Sequence, residues 1–137
     1  MINFNYENQF ILDDEASVSY WVSAVIEKEN FKEGEINYVF CDDDYLLKLN
    51  VEFLEHDTYT DIISFDYTMG KLISGDIFIS TERVKENATL FNVPFKDELR
   101  RVIIHGVLHY CGYKDKSDSD VEVMRSKENE YLNTYNK

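Results

Sequence analysis

The sequence predicts an α/β (α+β) domain in which helices cover a mixed four-stranded β-sheet. Segments with alternating apolar and polar residues, typical of strands, occur between segments with helical spacing, in the order β-α-β-α-β-β-α-α-α. The early β-α-β units require parallel strands, and two consecutive strands in the middle predict an antiparallel hairpin. The chain has 137 residues, 44% of them hydrophobic, which is enough for the core of a single domain over residues 1–137.

Two strands and two helices are predicted in the first half of the chain. Apolar residues alternate with polar ones over residues 2–6 and 36–40, which predicts strands. Between them, residues 16–29 have helical spacing, and the acidic residues 13–15 lie at the positive end of that helix dipole. Residues 42–44 can cap a second helix, whose apolar residues again follow helical spacing.

A hairpin and a third helix follow in the sequence. Residues 61–67 and 75–80 have the composition of strands, and a short turn through residues 69–71 can join them. Helical spacing begins at Thr81 and ends before Pro94, because the residue that precedes a proline resists helical geometry.

Two more helices complete the predicted fold. The first extends from about residue 96 to residue 111 and carries two histidines. Ser119 and Glu122 form a capping box for the last helix. The spacing that makes this last helix amphipathic is that of Val121, Met124, Glu128 and Tyr131.

The sequence lacks the features of an exported or membrane protein. Its first residues contain neither the basic nor the apolar region of a signal peptide, and no apolar run approaches the roughly 20 residues of a spanning helix. Cys41 and Cys111 are too few for a disulfide scaffold, and small buried thiols fit both positions. We therefore expect a cytoplasmic protein without a membrane partner.

The formal charge of −13 argues against a nucleic-acid partner, because a polyanion repels a strongly acidic chain at long range. Basic residues nevertheless gather in the sequence around the two histidines, namely Arg83, Lys85, Lys96, Arg100, Arg101, Lys114 and Lys116. Two interpretations stay open for these residues, a local cationic patch and ordinary solvated charges.

The most informative motif is His105-x-x-x-His109, because residues four apart share one face of a helix. Neighbouring positions are almost wholly apolar, and imidazoles in an apolar wall need polar partners or a metal ion. Gly112 can end the helix in a left-handed conformation and turn the carboxylate of Asp115 back towards the histidines. Two histidines and one carboxylate with room for water form a catalytic pattern, since structural zinc sites usually have four protein ligands.

Gly106 limits the chemistry of this motif. It stands where the zinc-protease signature His-Glu-x-x-His has its glutamate, so a peptidase of that type would lack its general base. A glycine between the histidines either leaves room for a ligand or allows close helix packing, and both interpretations stay open. His56 lies in a polar loop and is expected to be solvated rather than to bind a metal.

Residues 105–115 resemble the signature His-Gly-x-Leu-His-x-x-Gly-Tyr-x-His of the YbeY family, bacterial metal-dependent endoribonucleases that act in ribosomal RNA maturation. Two further blocks agree with that family. Residues 49–50 followed by residues 60–65 resemble its Leu-Asn and Thr-Asp-Val-Leu-Ser-Phe, and residues 75–77 resemble its Gly-Asp-Ile. The similarity spans residues 36–135, and the order of the blocks, the chain length and the element order all fit.

The resemblance implies a single-strand-specific endoribonuclease with one Zn²⁺, or another divalent metal ion, bound by His105, His109 and Asp115. These residues would act through a water molecule that the metal activates to attack a phosphodiester. The implied role is ribosomal RNA maturation and ribosome quality control in the cytoplasm. The implied partners are ribosomal RNA or the small ribosomal subunit, with ribosomal and assembly proteins beside them, and no DNA.

Two positions depart from the family pattern. Asp115 replaces the third histidine of the signature, and Leu54 stands at the usual arginine after the Leu-Asn block. Two histidines and one carboxylate suit zinc in hydrolases and iron(II) in oxygenases, and a carboxylate ligand predicts a less acidic metal-bound water. Two alternatives therefore stay open, a ribosome-associated binding module with a structural metal and a metal-dependent hydrolase of another substrate.

Other polar residues near the matched blocks have separate expected roles. The cations that can replace the missing arginine in binding RNA are Arg83, Lys114 and Lys116. Short polar residues at the end of a strand often bond to the backbone, and this is the role expected of Thr60, Asp61 and Ser64.

Overall fold

A computed structural model describes residues 1–54 and 60–135 and contains the expected mixed sheet. The strands are β1 (Ile2–Tyr6), β2 (Lys32–Cys41), β3 (Ile62–Asp66) and β4 (Leu72–Ser80). Strand β2 is parallel to β1 on one side and to β4 on the other, and β3 is antiparallel to β4 at the edge. The spatial order is β1-β2-β4-β3, which confirms the parallel β1-α1-β2 unit and the β3-β4 hairpin. Strand β3 runs antiparallel to β2, so the expected second parallel unit is formed by β2 and β4 instead.

Within the described residues the chain also forms five helices, in the predicted order. They are α1 (Glu15–Lys28), α2 (Asp43–Leu54), α3 (Thr81–Leu90), α4 (Phe95–Tyr110) and α5 (Asp118–Tyr135). None of these helices is long and apolar enough to cross a lipid bilayer.

The beginning of α5 differs from the sequence prediction. Ser117 Oγ accepts a hydrogen bond from the Asp120 backbone N–H at 3.1 Å, and the Ser117 N–H donates to the Asp120 carboxylate at 3.4 Å. The capping box predicted at Ser119 and Glu122 was therefore placed two residues too late. Val121 is 46% exposed, so the buried face of α5 consists of Met124, Glu128, Tyr131 and Leu132.

The sheet separates a large core from a small one. Alternate residues of β2 and β4 face the large core, which α1, α4 and α5 cover. On the other face, Leu46 of α2 packs with Cys41 and Ile63 in a smaller cluster. Consecutive residues of β3 take opposite sides, since Ile62 packs against the large core and Ile63 belongs to the small one.

Gly106 lies at a close contact between α4 and the sheet. A Cβ atom at this position would be 3.0 Å from Ile77 Cδ1 and 3.2 Å from Ile62 Cδ1. Those distances are short for carbon atoms in a close-packed interior. Of the two interpretations left open for Gly106, the structure supports close helix packing.

Gly75 makes a second close approach possible at the C-terminal end of α4. The Tyr110 hydroxyl lies 2.9 Å from the Phe65 carbonyl oxygen and 3.2 Å from that of Asp76, and it donates to them. A Cβ atom on Gly75 would lie only 2.4 Å from that hydroxyl oxygen. The hydroxyl therefore ties the end of α4 to β3 and β4, next to His109.

Candidate metal centre

The structure brings the side chains of His105, His109 and Asp115 together at one point. Asp115 Oδ2 lies 3.4 Å from His105 Nε2 and 3.2 Å from His109 Nε2. One ligand atom from each of the three residues lies within 4.8 Å of the other two. Two ligand atoms that are each about 2.1 Å from a tetrahedral ion are about 3.4 Å apart. The two distances from Asp115 therefore match those between ligands of one divalent ion, and the two histidine donors lie within 4.8 Å of each other.

A tight turn after α4 carries Asp115 to the histidines. Gly112 has a φ of +101°, in the left-handed region that favours glycine, as the sequence predicted. The Gly112 and Tyr113 backbone N–H groups donate to the carbonyl groups of His109 and Leu108, at 3.0 and 3.1 Å. These bonds end the helix and reverse the chain.

A buried anchor beside the turn fixes its position relative to α1 and α5. The Tyr113 hydroxyl donates to Glu29 Oε1 at 2.8 Å, and the Tyr131 hydroxyl donates to the other oxygen of the same carboxylate. Burial alone would raise the pKa of Glu29, but the two hydroxyl groups and the Lys127 ammonium lower it. The turn is thus held by an ionised carboxylate at the end of α1.

Glu128 of α5 fixes the orientation of His105. Its carboxylate accepts a hydrogen bond from His105 Nδ1 at 2.7 Å and one from Arg101 Nη1 at 2.9 Å. A carboxylate can only accept, so Nδ1 carries the proton and Nε2 presents its lone pair to the site. The Arg101 guanidinium also donates to Asn129 Oδ1 at 2.8 Å, which completes a chain of hydrogen bonds.

Burial and neighbouring polar groups shift the pKa values of His105 and Glu128 in opposite directions. Burial would lower the pKa of His105, but the hydrogen bond and charge of Glu128, with the charges of Asp115 and Asp61, raise it. Burial would raise the pKa of Glu128, but hydrogen bonds from His105 and Arg101 lower it. Glu128 is therefore an ionised carboxylate although its side chain is only 5% exposed.

The three residues lie in a cleft of about 480 Å³ between the edge of the sheet and the ends of α3, α4 and α5. Its other lining residues include Thr60, Asp61, Ser64, Phe91, Glu98, Arg101, Arg125 and Glu128. Burial raises the pKa of both Asp61 and Glu98. The cleft thus combines a metal-type donor set with two guanidinium groups and several carboxyl groups.

The family model described as endoribonuclease YbeY matches residues 2–136 of this chain. The chain belongs to the YbeY family. Proteins named endoribonuclease YbeY from two Flavobacterium species are close relatives. The F. johnsoniae protein is 67% identical over 132 residues, which cover 96% of this chain and 95% of that protein. The F. psychrophilum protein is 63% identical over 135 residues, with 98% and 96% covered.

A solved structure has the same fold as this YbeY-family chain. The solution structure of a Thermotoga maritima protein matches with a TM-score of 0.72 and 27% sequence identity, and the match covers 98% of this chain and 89% of that one. The α+β architecture expected from the sequence is therefore confirmed.

The three cations proposed from the sequence lie outside the cleft. Arg83 forms ion pairs with Asp43 at 2.9 Å and Glu86 at 3.2 Å, and it lines a different recess beside α3. Lys114 and Lys116 are exposed on either side of Asp115 and do not line the cleft. The cleft cations within the described residues are instead Arg101 and Arg125, which belong to α4 and α5.

The matched polar residues of the edge strand do line the cleft of this YbeY-family chain. Thr60 Oγ1 donates to the Ile62 carbonyl at 3.3 Å, which agrees with the expected backbone role. Asp61 and Ser64 also face the cleft. Leu54, at the usual arginine position, ends α2 and is 42% exposed. His56 lies outside the described residues.

Sequence reasoning missed the cleft residues that do not belong to a recognised motif. Glu128 was assigned to the amphipathic face of the last helix, with no role at the histidines. An acidic residue on an otherwise apolar helical face was the available signal, because a buried carboxylate requires a partner. Arg101 and Glu98 offered a weaker signal, as charged residues on the helix that carries both histidines.

The pKa of Glu98 gives a testable prediction for stability. Glu98 is 6% exposed, and burial raises its pKa above the ordinary value of 4.5. Ionisation above the folded-state pKa therefore destabilises the folded chain, whereas below the ordinary value of the unfolded chain this cost is absent. We expect Glu98→Gln to raise the melting temperature at pH 7, by about 4 °C per kcal/mol gained, and to have little effect near pH 4.

Thermal unfolding of both proteins at pH 7 and pH 4 checks this expectation. Glu122→Gln is the matched control, because Glu122 is an exposed glutamate on α5. An equal change in melting temperature at both pH values would show that burial of the Glu98 charge has no effect on stability.

Proposed function

We propose that this chain is a metal-dependent endoribonuclease that cleaves single-stranded RNA in ribosomal RNA maturation and ribosome quality control. The proposed metal ligands are His105, His109 and Asp115, with Zn²⁺ as the first candidate ion. The observation that carries the proposal is the convergence of these three donors in a cleft of a chain from the YbeY family. Relatives named endoribonuclease YbeY supply the reaction class.

The donor set fits a hydrolytic metal ion on chemical grounds. Two neutral imidazoles and one carboxylate suit zinc, and three protein ligands leave a position open. Such an ion, when bound, would polarise a phosphodiester and make hydroxide available near neutral pH. Glu128 keeps His105 in the tautomer that presents Nε2, so this positioning residue prepares the donor set before any ion binds.

Cations around the cleft can offset the charge of −13 when RNA approaches. Arg125 is 54% exposed and faces the cleft, so its guanidinium can reach a backbone phosphate. Lys114 and Lys116 are exposed neighbours of Asp115 in sequence and are proposed as further phosphate contacts. Arg83, paired with Asp43 and Glu86, is the least suited of the proposed cations.

The proposal treats residues 1–137 as one hydrolase domain acting on ribosomal RNA or the small ribosomal subunit, with assembly proteins as further partners. A ribosomal substrate places the proposed activity in the cytoplasm.

Metal removal and restoration test this function directly. Purified protein is assayed for metal content and for cleavage of a labelled single-stranded RNA, a duplex of the same sequence and a peptide panel. We expect bound zinc, cleavage of the single strand alone, loss of cleavage after chelation and recovery when Zn²⁺ is added back. Circular dichroism follows the fold throughout.

The alternatives give different results in the same experiment. Binding of zinc without cleavage of any substrate, with unfolding on chelation, would replace the enzyme by a binding module whose metal is structural. Cleavage of peptides would indicate a different hydrolase, and cleavage of RNA that persists after complete metal removal would contradict the metal-dependent mechanism.

A further inference from the structure

Two adjoining recesses extend the cleft away from the candidate metal ligands. The first, of about 480 Å³, contains the ligands, and the second, of about 350 Å³, continues towards Val93 and Leu132. Both are lined by Phe91, Glu98, Arg101 and Arg125. These shared residues come from the end of α3, the first turns of α4 and the middle of α5. A groove that continues from a cleavage site is where a neighbouring nucleotide of the substrate would lie.

Glu98 is a largely buried carboxyl group that accepts no hydrogen bond in the described parts of the chain, although the charges of Arg101 and Arg125 act on it from a longer distance. It is 6% exposed and lines both recesses, but no described residue gives it a hydrogen bond or an ion pair within 4.0 Å. The nearby Arg101 is engaged by Glu128 and Asn129. Buried carboxyl groups almost always have partners, so an unpartnered one that faces a groove indicates a ligand with N–H donors.

Phe91 offers an aromatic surface at the wall shared by the two recesses. It is 54% exposed, and within residues 1–54 and 60–135 its ring has no aromatic or cationic neighbour. Its backbone is held in place, because the Phe91 N–H donates to the Asn87 carbonyl at 2.8 Å and the Val93 N–H donates to the Ala88 carbonyl at 3.0 Å. An exposed aromatic ring on a fixed backbone beside a groove is a platform on which a nucleobase can stack.

Arg125 completes the set with a guanidinium that retains free donors. Its side chain is 54% exposed, and its Nη1 lies 3.7 Å from Glu128 Oε1, an oxygen that already accepts a bond from Arg101 at 2.9 Å. The guanidinium has five N–H donors in a planar fork that matches phosphate oxygens. Phosphate binding would therefore cost Arg125 little of its existing contact.

We propose that this groove binds one unpaired nucleotide of the RNA, next to the bond that is cut. The base stacks on Phe91, its exocyclic amino group donates to Glu98, and its phosphate contacts Arg125. Adenine, cytosine and guanine each present such an amino group. Uracil does not, and its single ring N–H stands between two carbonyl oxygens that a carboxylate repels. The groove therefore discriminates against uracil. This inference rests on the proposed endoribonuclease function.

Titration with the four nucleoside 5′-monophosphates, followed by NMR, tests the subsite without any cleavage. We expect AMP, CMP and GMP to shift the signals of Phe91, Glu98 and Arg125, and UMP to bind roughly tenfold more weakly, as loss of one charged hydrogen bond implies. Glu98→Gln should remove most of that difference, because a carboxamide can donate to a uracil carbonyl. Phe91→Ala should weaken all four, and Glu122→Gln, on the exposed side of α5, should change none.

Each outcome separates the subsite from the nuclease. Equal binding of all four nucleotides by wild type and Glu98→Gln, or shifts confined to other parts of the protein, would overturn the subsite. RNA cleavage by the wild type without discrimination against uracil would overturn the subsite and leave the nuclease intact. Selective nucleotide binding by a protein that cleaves no RNA would support the subsite and overturn the proposed reaction. Arg125→Gln should reduce the advantage of AMP over adenosine.

Discussion

His109→Ala is expected to reduce RNA cleavage by more than about a thousandfold and to lower the zinc content of the purified protein. The substitution removes one of three donors that lie within 4.8 Å of one another. A metal ion contributes several kcal/mol to phosphodiester hydrolysis, and each 1.4 kcal/mol corresponds to about a tenfold change in rate. The measurement is single-turnover cleavage of a labelled single strand, with metal content determined on the same samples.

The fold should survive this substitution. His109 is half-buried at the cleft, and the end of α4 is held separately through Tyr110. Tyr20→Ala is a control that removes an aromatic side chain, 81% exposed, from α1. Cleavage by folded His109→Ala at the wild-type rate would disprove the assignment of this site.

Glu128→Gln is expected to weaken Zn²⁺ binding by about 10- to 100-fold, the usual effect of losing a carboxylate that orients a ligating histidine. Glutamine has the size of glutamate, but its amide must serve His105 and Arg101, which both donate. Either His105 or Arg101 would then face the NH₂ group of the amide, which cannot accept its hydrogen bond, so His105 loses its fixed orientation. Competition with a chromophoric chelator measures the affinity.

A second measurement distinguishes positioning from general destabilisation. At a pH above the raised pKa of His105, nitrogen-15 NMR should show the neutral ring protonated at Nδ1 in the metal-free wild type, and a mixture of tautomers in Glu128→Gln. Glu122→Gln lies on the same helix and should leave both readouts unchanged. Unaltered zinc affinity in a Glu128→Gln protein that keeps its melting temperature would exclude the positioning role.

The sequence was sufficient for the features that depend on local spacing. The local features lie within 11 residues and are the i, i+4 pair His105 and His109, the left-handed Gly112 and the return of the chain at Asp115. Over such a short segment, helix geometry and turn conformation determine which side chains lie close together. The element order and the antiparallel hairpin followed from the periodicity of the segments, whereas the spatial strand order β1-β2-β4-β3 was not predicted.

The remaining parts of the site depend on contacts between distant helices. Glu128 is 23 residues from His105, and its carboxylate reaches the imidazole only because α5 packs across α4. Proximity in sequence suggested Arg83 as a cleft cation, but that side chain turns to Asp43, 40 residues away. The groove lined by Phe91, Glu98 and Arg125 likewise forms where three helices pack together, and local sequence patterns do not predict which helices pack against each other.

The close contact between α4 and the sheet makes the interior of this protein a determinant of the geometry of the candidate metal centre. Gly75 leaves no space for an added methyl group, a methyl group at Gly106 would press on Ile62 and Ile77, and Tyr110 ties the helix to the backbone of two strands. Asp115, in contrast, is placed by a turn that is anchored through Glu29 to α1. An enlarged side chain beneath α4 would therefore shift both imidazoles relative to the Glu29 anchor of the turn that carries Asp115. Substitutions in the core beneath α4 can thus change the distances between the donor atoms of the candidate metal centre, although they do not touch the RNA. Such substitutions are therefore expected to change the activity.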